Sequence, residues 1–143
     1  IGVADDPWSD AIAVERFVNQ YVRAKDFSTA FATAADVARD RTGDCTEHAV
    51  LTAALCRARG IPARILVGLV YVSKLQGFGF HMWNEVWIGD RWVPIDATTG
   101  QGGIGAAHLA LSRTSLAAED SFASFLPVVQ VIGRLDLDVL HAE

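Results

Sequence analysis

No apolar run in this 143-residue chain reaches the ~20 residues a helix needs to cross a bilayer, and the N-terminus carries neither the basic stretch nor the apolar core of a secretory leader. No membrane contact is therefore expected from this segment. Clustered basic residues are missing too. The formal net charge is −5 and the pI is near 5.3, so the chain lacks the surface that tracks phosphates, and nucleic acid is not an expected partner. Cysteine is scarce, with Cys45 and Cys56 the two in the chain. On one continuous helix their spacing gives ~16 Å of rise, beyond the ~7 Å Cα limit of a disulfide, so no internal bridge is expected and the redox compartment stays open.

What remains fits one compact domain. A hydrophobic content of 51% and a mean hydropathy of +0.25 at this length allow about 70% of the unfolded surface to be buried. The chain begins at Ile1 rather than Met, and residues 1–143 read as a single domain taken from a longer protein.

Trp8, Ile12, Phe17, Val18, Tyr21 and Val22 recur at helical spacing after Pro7 and predict an amphipathic helix to about Lys25. A shorter helix is expected over Thr29–Arg39. Asp44 followed by Glu47 forms a capping-box pattern for a third helix, which Gly60 and Pro62 end. That helix is apolar nearly all round, as expected of the buried centre of the fold. Ala63–Tyr71 reads as a buried strand and Ser73–Gly79 as a mobile loop. Phe80–Ile88 and Arg91–Ile95 read as strands joined by a Gly89-Asp90 hairpin turn. The tail is expected to run as loop, helix over Leu116–Leu126, and a last strand over Arg134–Leu140.

Three residues in this frame carry chemistry. Cys45 opens the central helix in GDCTEHA, His81 heads HMWNEVWIGDRW, and Asp96 closes the next strand in VPIDATTG. With Gly89 and Asp90 as the turn, Ile88 pairs with Arg91, Trp87 with Trp92 and Trp83 with Asp96. His81 and Asp96 then become diagonal neighbours on one face, close enough for a hydrogen bond. A helix N-terminus favours an anion, and beside an imidazolium such a place favours a thiolate. A nucleophile, a base and a carboxylate that orients the base follow, with the Cys45 amide as one oxyanion donor.

These motifs resemble the transglutaminase-like superfamily of papain-fold thiol enzymes. The resemblance covers Arg41–Gly68 and Gly79–Thr99, in the Cys, His, Asp order of that family. It implies an α+β papain-like fold with the thiol-bearing helix packed on an antiparallel sheet of about four strands. Cys45 is then the nucleophile, His81 the base and Asp96 the orienter, acting on a peptide or protein substrate without metal or organic cofactor. The implied reaction is acyl transfer through a Cys45 acyl-enzyme. A peptidase or amidase is favoured because hydrolysis needs only water. Crosslinking of protein glutamines and a catalytically silent peptide-binding domain are the alternatives. Bacterial members often sit in larger secreted or membrane-attached proteins, and such a cell-envelope context is implied here, with the oligomeric state left open.

Other residues have plainer readings. Cys56 is expected in the core. Zinc held by Cys45, His48, His81 and Asp96 is not expected, because the helical spacing directs Cys45 and His48 only partly together. His48 is expected at the helix surface or behind the catalytic residues, and His108 and His141 are expected exposed and without companions. Arg64 and Glu85 are expected to pair, as are Trp87 and Trp92. Trp83, facing Asp96, is the expected substrate contact.

Overall fold

The computed structural model describes residues 6–23, 32–115, 123–131 and 133–135. Helix α1 spans Pro7–Tyr21, with Asp6 capping it by accepting the Trp8 amide at 3.1 Å and Pro7 in the first turn, where its missing N–H costs nothing. Helix α2, Ala34–Asp40, is fixed by a reciprocal capping box between Thr33 and Asp36. The expected start of this helix at residues 29–31 lies outside the described residues. Helix α3, Cys45–Ala58, follows, and four strands then form one antiparallel sheet: β1 (Ala63–Val72), β2 (Gly77–Ile88), β3 (Arg91–Ile95) and β4 (His108–Thr114), in the order β3-β2-β1-β4. This is an α+β, papain-like arrangement with α3 as its central helix.

The core lies between α3 and the sheet. Ala49, Ala53 and Cys56 pack against Ile65, Val67, Leu69, Met82, Val86 and Ile95, with Ala11 of α1 closing the layer. Small residues on α3 let the strands approach closely, and Asn84 donates from Nδ2 to the Ala49 carbonyl at 2.9 Å across that contact. Burial drives the Cys56 thiol pKa up to about 12, so this cysteine is chemically silent.

Gly89-Asp90 sets the expected hairpin register, with Ile88 opposite Arg91 and Trp87 opposite Trp92, the two indoles packing edge to face at 5.3 Å. Arg64 and Glu85 pair across β1 and β2 at 2.7 Å, and the Arg64 guanidinium lies 4.0 Å above the Trp92 ring. Three expectations are corrected. Ser73–Gly79 is no open loop: the strands continue through Val72 and Gly77 around a tight 3₁₀ turn at Ser73–Leu75, held by Gln76 hydrogen bonds to the Ser73 carbonyl. Tyr71 against Phe78, centroids 5.5 Å apart, closes that hairpin end. Residues 108–114, read as loop, form β4. In the tail, residues 116–122 and 136–140 lie outside the described residues. The rest of the expected helix is a 3₁₀ turn at Ala123–Phe125, which leads into a short helix α4, Leu126–Val131, with Pro127 in its first turn.

β4 joins β1 through an irregular register. Val67 pairs with Ser112 but Gly68 pairs with Ala110, leaving Leu111 as an extra residue. Gly68 is required at this bulge, since a Cβ there would stand 2.1 Å from the Leu109 carbonyl oxygen and 3.0 Å from Trp83. Gly68→Ala is therefore expected to cost about 1–3 kcal/mol in urea unfolding, because backbone must shift to admit a methyl group. A midpoint equal to wild type would contradict the close approach of β4.

Candidate functional site

Cys45 is the first residue of α3, placed there by the cap before it. The Asp44 carboxylate accepts the Thr46 and Glu47 amides, and Glu47 Oε2 reaches back to the Asp44 amide at 2.9 Å. These capping bonds use the amides of Thr46 and Glu47 and not that of Cys45. Gly43 makes room for the buried Glu47, whose Cβ would lie 2.2 Å from a Cβ at position 43. His48, expected at the helix surface or behind the catalytic residues, is 5% exposed, and its Nδ1–H donates to the Asp44 carbonyl at 2.6 Å.

His81 is buried on β2, with Nε2 2.8 Å from Asp96 Oδ2. Because a carboxylate only accepts, His81 carries a proton on Nε2, and the Cys45 thiol lies near enough to act on the same ring. Asp96 is fully buried just past the end of β3. Its Oδ1 accepts the Thr98 amide at 2.9 Å, and Oδ2 accepts a second imidazole, His108 Nε2, at 3.1 Å. His108 was expected to be exposed and alone. Its side chain is instead 6% exposed and bonded to Asp96, because β4 carries it onto the site. His141 lies outside the described residues.

Trp83 is 2% exposed. Its indole stacks on His81 at 5.9 Å and meets His108 edge-on at 5.0 Å, so it backs both imidazoles rather than facing solvent. Helix α1 supplies the other side of the site, which the sequence reading missed. Glu15 is fully buried and accepts the amides of Asp96 (3.3 Å), Gly102 (3.2 Å) and Gly103 (3.4 Å) on Oε1. One turn later Asn19 donates to the carbonyls of Ala97 and Thr98. The available signal was Glu15 itself, a carboxylate within the apolar stripe of Ala11, Val18 and Val22.

The electrostatics follow from these partners. Burial alone would push the His81 pKa down, but the hydrogen bonds and charges of Asp96 and Cys45 raise it to about 9. Burial would raise the Asp96 pKa, yet the hydrogen bond and charge of His81, the His108 donor and the Thr98 amide bring it down to about 2. Burial raises Glu15, with the amides of Asp96, Gly103 and Gly102 opposing. Among the described residues, His81, Asp96 and His108 are also the group whose donor atoms lie within 4.8 Å of one another, as metal ligands would. Those atoms are already committed to each other in hydrogen bonds, and neither Cys45 nor His48 belongs to that group.

The profile of the Transglutaminase-like superfamily matches residues 1–97, through Asp96. The chain belongs to that superfamily. Among solved structures it is similar to a candidate cysteine protease from Cytophaga hutchinsonii, at 28% identity and a TM-score of 0.66 over 80% of this chain and 38% of that one. It is also similar to Legionella pneumophila LapG in its calcium-bound form (16% identity, TM-score 0.60, 76% of this chain and 65% of that one) and after EGTA treatment (16%, 0.55, 76% and 63%). The LapG likeness shows the fold alone. None of the curated proteins compared with the chain matches it. Superfamily membership and the Cytophaga likeness support the papain-like cysteine enzyme class, while the chain spans well under half of the Cytophaga protein.

The pKa directions set a pH window. A raised His81 contributes stability that is complete below pH 6.5 and is lost as pH rises through about 9. A lowered Asp96 contributes stability that is complete above pH 3.8 and is lost as pH falls through about 2. Asp96→Asn is expected to cost ~3 kcal/mol at pH 6, where both charges are present. The penalty should shrink at pH 10. Equal penalties in denaturant unfolding at the two pH values would show that no charge pair is present.

Proposed function

We propose that this chain is a thiol-dependent acyl-transfer enzyme that hydrolyses a peptide or carboxamide bond through a Cys45 acyl-enzyme. The observation that carries this reading is the buried 2.8 Å hydrogen bond between His81 Nε2 and Asp96, beside a Cys45 thiol near enough to act on the same imidazole. In the reaction so read, His81 already holds the Cys45 proton as an imidazolium, and the thiolate attacks the substrate carbonyl carbon. The oxyanion that forms lies within reach of the Cys45 amide at the positive end of α3. Collapse breaks the C–N bond, and His81 gives the proton to the leaving amine. Water then loses a proton to His81 as it attacks the thioester, and release of the carboxylic acid leaves the Cys45 thiolate beside the His81 imidazolium. Asp96 stays ionised throughout and holds His81 in the productive tautomer. No cofactor enters any step.

A cavity of about 350 Å³ is lined by Thr46, Val50, Ala53 and Ala54 on the helix that carries Cys45, together with Met82 and Phe125. Its apolar lining suits a hydrophobic side chain of a peptide or protein substrate, and it takes over the substrate-contact role first given to Trp83, whose burial fits positioning of the histidines. Hydrolysis is favoured over transfer because water needs no dedicated acceptor site, and the likeness to a candidate cysteine protease supports the same choice.

The test is to incubate the chain with unfolded protein substrates, with and without a labelled primary amine, and to read new termini, deamidation and amine incorporation by mass spectrometry. New termini or deamidation are expected with wild type and none with Cys45→Ser. Amine incorporation in place of hydrolysis would establish the crosslinking reading. An equal absence of product from both proteins would point to a silent peptide-binding domain.

A further inference from the structure

Sheet geometry, and not local sequence, brings His108 to Asp96. Cross-strand partners share a face, so the pairs Gly68 with His81 and Val70 with His108 place both histidines on one face of the sheet. Only the extra residue at Leu111 makes this so. If the pairing of Val67 with Ser112 continued without a bulge, every residue before Leu111 would slip by one and His108 would face the other way. Gly68, whose missing Cβ lets the Leu109 backbone come close, completes the approach of β4. Burying His108 also leaves its Nδ1 without a hydrogen-bond partner among the described residues. An apolar side chain would fill the space beside Trp83 without that penalty, so packing alone does not account for an imidazole here. His108 lies beyond residues 1–97, the stretch that matches the superfamily.

We propose that His108 is a positioning residue of the thiol site, donating Nε2–H to Asp96 Oδ2 and so holding the carboxylate in place for His81. The proposal rests on the thiol-enzyme reading above. With Thr98 on Oδ1 and His108 beside His81 on Oδ2, the Asp96 carboxylate is restrained at both oxygens and cannot rotate away from the base. Removing His108 frees one side of it.

Two variants separate the donor from the ring. Glutamine places an amide N–H as many bonds from Cα as the imidazole Nε2, whereas leucine fills space without donating. The rate of iodoacetamide alkylation at Cys45, read by intact mass with buried Cys56 unreactive, is expected to fall about tenfold in His108→Leu and to stay within about twofold of wild type in His108→Gln. In wild type, long-range ¹H–¹⁵N spectra should show His108 as the Nε2–H tautomer, a readout that needs no variant to fold. An Nδ1–H tautomer, a wild-type rate in His108→Leu, or a glutamine variant as slow as the leucine one would overturn the proposal. His81→Ala tells the two readings apart. If it is slow while His108→Leu is fast, only the positioning role fails. If His81→Ala reacts as fast as wild type, the thiol-enzyme reading fails and the positioning role with it.

Discussion

A fully buried carboxylate, that of Asp96, is the constraint around which this fold is arranged. An ionised carboxyl group cannot stay in a protein interior without donors, and isolated it would protonate instead. Asp96 obtains three side-chain contacts from three places: His81 on β2, His108 on β4 and the Thr98 amide in its own loop. Its backbone amide is tied in turn to Glu15 on α1. Both imidazole donors belong to other strands, so the carboxylate is satisfied only when the sheet has closed on both sides. Folding and assembly of the site are the same event.

The thiol end depends on different physics. Asp44 and Glu47 cap α3 and fix where its first turn begins, which sets Cys45 at the positive end of the helix beside His81. The chain's other cysteine sits on the same helix with its thiol driven toward neutrality by burial. Two identical side chains on one helix thus sit in different surroundings, Cys56 in the core and Cys45 at the helix start beside His81.

How much of this could be read from the sequence follows from how local each signal is. The α3 cap, the Gly89-Asp90 turn and the alternation along β2 are all contained within a few residues, and together they bring His81 and Asp96 to one face. The Arg64 pairing with Glu85 followed from the same alternation. His108 was illegible because the bulge at Leu111 changes which residues share its face without leaving a mark in the sequence, and HLALSRT was read as loop with its histidine at the surface. Glu15 and Asn19 were missed for a related reason: their partners are backbone groups of a loop some eighty positions away, which no spacing rule connects. Burial of Trp83 likewise comes from the approach of β4, which Gly68 permits but does not announce.

The central claim is that Asp96 and Cys45 together hold His81 as an imidazolium at neutral pH. It is tested most directly by ¹⁵N NMR of the His81 ring across a pH titration. The account predicts that both ring nitrogens are protonated at pH 7.5, with a midpoint near 9 that falls in Asp96→Asn. A midpoint near 6.5, unchanged by that substitution, would contradict it.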